Sequence, residues 1–158
     1  MVKLLYQIAV SARPRQWLKN LALFAALVFS GNLFIHTEFI ITIWAVSIFS
    51  VLASSIYIFN DILDLESDRL HPFKKLRPIA SGALPLPLAF FVAIVAAFFS
   101  LWLALNLSFF FFLTCLTYLI LQIIYSSILK SFVIFDVLVI AAGFILRVMA
   151  GAFVVNVH

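Results

Sequence analysis

Apolar residues run along this chain in long uninterrupted blocks, without the alternation of a half-buried strand or the single stripe of a surface helix. Five blocks stand out, at residues 17–35, 39–59, 86–105, 109–125 and 132–155. Each approaches the roughly 20 apolar residues an α-helix needs to cross a bilayer. The polar breaks between them are short, except residues 60–85. That segment holds most of the acidic residues, together with Arg69, Lys74, Lys75, Arg77 and the prolines Pro72, Pro78 and Pro85. The pattern predicts an all-α fold: a polytopic transmembrane helix bundle of about five spans, forming a single membrane domain over residues 1–158. No internal repeat is evident.

Composition agrees. Of 158 residues, 66% are hydrophobic and 10% charged, where a soluble domain carries about 25% charged. A soluble fold of this size has no interior large enough for so much apolar surface, so its solvent is expected to be lipid. Cys115 is the only cysteine and sits in an apolar run. This excludes an intrachain disulfide or a multi-cysteine metal site, and Cys115 reads as a small buried hydrophobe. No short apolar core with a small-residue cleavage site follows Met1, so a cleavable signal peptide is not expected.

The net charge of +4 collects in loops. Lys3, Arg13, Arg15 and Lys19 precede or enter the first block, Arg69 to Arg77 separate the second and third, and Lys130 separates the fourth and fifth. The alternate breaks, near residues 31–38 and 106–108, contain no Lys or Arg. The positive-inside rule therefore predicts a multi-pass protein of the cell or inner membrane with a cytoplasmic N-terminus. No basic face suits nucleic acid. Trp17 is expected to anchor the first span at the interface, and most of the 19 phenylalanines to face lipid or pack.

The chemistry lies where the second block ends, in Tyr57-Ile58-Phe59-Asn60-Asp61-Ile62-Leu63-Asp64-Leu65-Glu66-Ser67-Asp68-Arg69. At about 100° per residue, a continuing helix puts Asp61, Asp64 and Asp68 within an arc of about 60°, flanked by Asn60. Three carboxylates on one stripe repel one another at a membrane boundary, and a divalent cation relieves that cost. Mg²⁺ takes one or two carboxylates and completes its shell with water and substrate phosphates. The stripe therefore reads as a site for Mg²⁺ and a pyrophosphate; a solvated helix end with local Asp–Arg pairing is the plainer alternative. Glu66 falls about 140° away and reads as solvated or ion-paired. Arg69, Lys74 and Arg77 are candidate phosphate-binding cations, and Lys130, at the same membrane face, is a candidate to complete the pocket. Lys75 serves phosphate binding or topology equally well. His71 pairs with a carboxylate or phosphate, or plays a structural part. Asp136 and Arg147 share a face of the last span about 16 Å apart. An ionisable residue there is either functional or a structural partner for another helix.

The run Asn60-Asp61-x-x-Asp64-x-x-x-Asp68-Arg69, with Arg77-Pro78-Ile79-Ala80-Ser81-Gly82, resembles the first aspartate-rich motif of the UbiA-type intramembrane prenyltransferase family. Three further stretches resemble its decaprenyl-phosphate phosphoribosyltransferase branch. They are Arg13-Pro14-Arg15-Gln16-Trp17-Leu18-Lys19-Asn20, Asp68-Arg69-Leu70-His71-Pro72, and residues 136–151 with the core Gly143-Phe144-Ile145-Leu146-Arg147. The resemblance implies nine helices around a central cavity and a second aspartate motif. Beyond Asp68 this chain has only Asp136 as an acid, so it is expected to match the N-terminal half of such an enzyme, with a partner chain as one source of the missing helices. The resemblance implies Mg²⁺ as cofactor, held by Asp61, Asp64 and Asp68 as catalytic ligands, with Asn60, Arg69, Lys74, Arg77 and Lys130 binding substrate. It further implies transfer of phosphoribose from 5-phosphoribosyl-1-pyrophosphate to a polyprenyl phosphate. The alternatives are prenylation of an aromatic acceptor and, from another class, a non-catalytic membrane subunit, a small transporter or an inactive fragment.

Overall fold

The computed structural model describes residues 2–128 and 133–155, and the side chains of that stretch from residue 135 onward after the break. Among them every regular element is helical: α1 (Val2–Ser11), a 3₁₀ segment (Pro14–Leu23), α2 (Phe24–Phe29), α3 (His36–Leu63), α4 (Leu65–Leu70), α5 (Leu86–Leu107), α6 (Phe109–Ser127) and α7 (Val133–Val154). Four are long and apolar enough to cross a membrane: α3, α5, α6 and residues 135–154 of α7. They match the second to fifth apolar blocks.

The first block is laid out differently. Its leading part belongs to the ten-residue 3₁₀ segment, and its middle to the six-residue α2. Runs of 3₁₀ beyond three or four residues are uncommon, so something must hold this one. Three 3₁₀ residues rise about 6 Å, as do four α-helical residues. The 3₁₀ segment runs antiparallel beside α3 in that register. Trp17 Nε1 donates to Ser54 Oγ at 2.9 Å, and three residues on Asn20 Nδ2 donates to Ser50 Oγ at 2.9 Å. Trp17, expected as an interfacial anchor, is thus also tied to α3.

Helix α3 is the centre of the bundle, packed by α5, α6, α7 and the 3₁₀ segment. Its apolar stretch is 56% buried, against 22–33% for the other three long helices. The outer helices turn the rest of their apolar surface outward, as lipid-facing helices must. Where they meet, small residues let the backbones approach: the buried residues of α5 are Ala89, Ala93, Ser100 and Ala104, in two pairs spaced by four. Gly151 of α7 is the tightest case, since a Cβ there would lie 2.0 Å from the carbonyl oxygen of Leu23.

A second, smaller core fixes the long polar connection. Ile79 and Leu84 are buried with Ile58 of α3 and Ala89 and Ala93 of α5. Leu84 N donates to Pro78 O at 2.8 Å, and Gly82 turns the chain at φ +78°. Arg77, extended ahead of Pro78 as a pre-proline residue should be, is held beside the end of α3.

Candidate active site at the end of the central helix

The backbone ladder carries across the short break at Asp64: Asp64 N donates to Asn60 O at 2.9 Å, and Asp68 N to Asp64 O at 2.8 Å. Helical hydrogen bonding therefore runs on from α3 into α4. Asp61 and Asp68 face inward and are 3% and 1% exposed, whereas Glu66 points to solvent. Both buried carboxylates converge on Arg77, whose Nη1 lies 3.1 Å from Asp61 Oδ1 and 2.6 Å from Asp68 Oδ2. Asp64 is half-buried, and Asn60 Nδ2 donates to its Oδ2 at 3.2 Å. Asp68 Oδ1 is buried with no hydrogen-bond partner among the described residues.

Arg13 completes the cluster and was not among the residues expected there. Its Nη2 ion-pairs with Asp61 Oδ1, and its guanidinium stands 5.2 Å over the ring of Tyr57, one turn earlier in α3. Its backbone is left-handed, at φ 52° and ψ 61°. This is an unfavourable conformation for a side chain with a Cβ and more so before a proline. It folds the chain sharply between α1 and the 3₁₀ segment and aims the guanidinium at Asp61. Nothing local in the sequence pointed to it, because its partner Asp61 lies 48 positions away.

The remaining expected residues fall in different places. Arg69 and Lys74 are exposed near the cluster, without ion pairs among the described residues. Lys75 is exposed as well, and Lys130 lies outside the described residues. His71 has the structural part: its Nδ1 accepts from the amides of Phe73 and Lys74 at 3.2 and 3.3 Å. Asp136 and Arg147 take separate partners. Tyr125 Oη donates to Asp136 at 2.7 Å, while Arg147, buried, bonds to Asn20, Gly143 and Tyr118.

Among the described residues no three acidic, histidine or cysteine side chains stand ready-grouped around a metal position; Asp61 and Asp68 are turned toward arginines instead. The donor set still fits Mg²⁺. All its groups are hard oxygens, one buried oxygen of Asp68 lacks a partner, and Mg²⁺ needs only one or two carboxylates when phosphates and water supply the rest.

An apolar helical bundle with buried carboxylates and arginines gathered at one end of its central helix defines an integral membrane protein with a polar site at the membrane boundary. The chain belongs to the UbiA prenyltransferase family, which matches residues 20–158. It is 36% identical over 149 residues to the decaprenyl-phosphate phosphoribosyltransferase of Mycolicibacterium smegmatis, covering 89% of this chain and 46% of that protein. The protein of the same name from Mycobacterium tuberculosis is 36% identical over 147 residues, covering 88% of this chain and 47% of the relative. The nodulation protein NoeC of Azorhizobium caulinodans is 31% identical over 150 residues, covering 93% and 48%. The chain thus spans about half the length of these relatives.

Proposed function

We propose that this chain carries the diphosphate-binding half of a Mg²⁺-dependent membrane transferase, one that moves phosphoribose from 5-phosphoribosyl-1-pyrophosphate onto a polyprenyl phosphate. The observation that carries the reading is the convergence of buried Asp61 and Asp68 on Arg77 at the end of the central helix. The names of the mycobacterial relatives support the choice of donor and acceptor.

Asp61, Asp64 and Asp68 would hold Mg²⁺, which when bound to a diphosphate neutralises the charge on the leaving group. Asn60 orients Asp64 through its amide. Arg13 and Arg77 hold the carboxylates of Asp61 and Asp68 fixed in direction. Arg69 and Lys74, on the outer rim, bind phosphate oxygens of the donor, and Lys130 is proposed beside them. In the transfer, a phosphate oxygen of the lipid attacks the anomeric carbon, the bond to the diphosphate breaks, and pyrophosphate leaves with the bonding electrons. The basic residues suit this arrangement facing the cytoplasm, with the lipid tail running among the helices.

Calorimetry of the chain in lipid nanodiscs tests the reading, with pyrophosphate titrated in the presence and absence of Mg²⁺. Asp64→Asn is expected to weaken Mg²⁺-dependent binding by about tenfold or more, and Glu66→Gln by no more than about twofold. Equal effects, or binding indifferent to Mg²⁺, would overturn it.

A further inference from the structure

One cation in the bundle is untouched by the carboxylate site. Arg147 is 5% exposed, in the middle of α7, and a guanidinium does not shed its proton to escape burial. Among the described residues no carboxylate reaches it. Its partners are neutral: Nε donates to Asn20 Oδ1 at 2.9 Å, Nη1 to Gly143 O at 2.8 Å and Nη2 to Tyr118 Oη at 2.9 Å. The rings of Tyr118, Phe144 and Phe49 stand 5.0, 5.5 and 5.7 Å from the guanidinium carbon. Of the five N–H donors of an arginine, these bonds leave one on each terminal nitrogen.

Arg147 lines a cavity of about 160 Å³, together with Lys19, Tyr57, Tyr118, Gln122 and Gly143. Among the described residues its polar groups are two cations, two phenols and an amide, with no acid. Tyr118 accepts from Arg147, so its own O–H is available to donate. Gly143 keeps the space open: a Cβ there would lie 3.2 Å from Arg147 Nη1 and 3.8 Å from Gln122 Nε2. Tyr57 forms one wall and carries Arg13 against its ring, which sets the cavity about one helical turn, about 6 Å, inward of Asp61. A buried cation facing a donor-rich, acid-free cavity is costly when alone and strongly stabilised by an oxyanion.

We propose that this cavity binds a phosphate monoester, as a second anion subsite separate from the carboxylate cluster, with Arg147 and Lys19 as its charged ligands and Tyr118 and Gln122 as neutral donors. The proposal deepens the transferase reading and rests on it, since that reaction brings together two phosphorylated substrates. A monoester can come from the lipid acceptor or from the 5-phosphate of the sugar donor.

The experiment measures binding of dodecyl phosphate, of ribose 5-phosphate and of Mg²⁺-pyrophosphate to the chain in nanodiscs, for the wild type, Arg147→Gln and Lys19→Gln. One of the two monoesters is expected to bind the wild type and to lose about tenfold or more in Arg147→Gln and severalfold in Lys19→Gln, while Mg²⁺-pyrophosphate changes by less than about twofold. Whichever monoester responds identifies the source. Thermal unfolding reports whether Arg147→Gln folds, and where it does not, exposed Lys19 decides the matter. Monoester binding absent from the wild type, or unchanged in the folded variants, overturns the proposal and leaves Arg147 as a brace between helices. A parallel loss of Mg²⁺-pyrophosphate also overturns it, by merging the two subsites. Failure of wild-type Mg²⁺-pyrophosphate binding alone counts instead against the transferase reading.

Discussion

Arg13 shows how much one residue can carry. Its left-handed backbone costs of the order of 1–2 kcal/mol, and its ion pair with Asp61 returns a contact across 48 positions of sequence. The two contributions are separable. Arg13→Gly and Arg13→Ala both remove the guanidinium, but only glycine relaxes the backbone. Unfolding in detergent should find Arg13→Gly more stable than Arg13→Ala by about 1 kcal/mol; alanine equal to glycine would mean the turn is not strained. The carboxylates were readable in advance because helical rotation is a local property: Asp61 and Asp68 lie seven positions apart and meet the same guanidinium. Arg13 was not, because no local rule links a pre-proline cation to the far end of α3, 48 positions on. Arg147 was visible as an intramembrane charge, but its neutral partners, drawn from the 3₁₀ segment and α6, lie far from it in sequence.

At the scale of elements, glycines set how closely α7 can lie. A methyl group at Gly151 would overlap the backbone of Leu23, which has no rotamer to change, so α7 and the 3₁₀ segment must separate. Gly151→Ala is expected to destabilise the chain by about 1–3 kcal/mol. Gly143→Ala meets only the tips of Arg147 and Gln122 and the Tyr118 ring edge, and should cost less than half as much by the same unfolding measurement. The opposite order would place the tight contact elsewhere. The small residues of α5 did not declare their role in sequence, since alanine and serine fit lipid-facing and buried positions alike; only the packing against α3 distinguishes them. The 3₁₀ winding was equally hidden, because it depends on Ser50 and Ser54 of α3 rather than on any propensity within residues 14–23.

Taken whole, the molecule keeps the plan its apolar blocks predicted from the second block onward, because block length and bilayer thickness are tied by simple geometry. Orientation is open to direct measurement. Basic residues flank the carboxylate end, so Ser67→Cys should react with a membrane-impermeant maleimide only in inside-out vesicles, and Asn32→Cys only in right-side-out ones. The native Cys115 is 0% exposed and should stay silent. Labelling of both variants from one side would refute the alternation of loops. The carboxylate site belongs to this scale too, since it draws on the start of the 3₁₀ segment, the end of α3, α4 and the connection to α5.

The unusual winding near the N-terminus has a consequence for reach. An α-helix over the 16 residues from Pro14 to Phe29 would extend only about 24 Å, short of a hydrocarbon core of about 30 Å. Wound as ten 3₁₀ residues at about 2.0 Å and six α-helical ones at about 1.5 Å, the same stretch extends about 29 Å. The tighter coil is also the longer one, and it brings a segment too short as an ordinary α-helix close to the thickness of the hydrocarbon core.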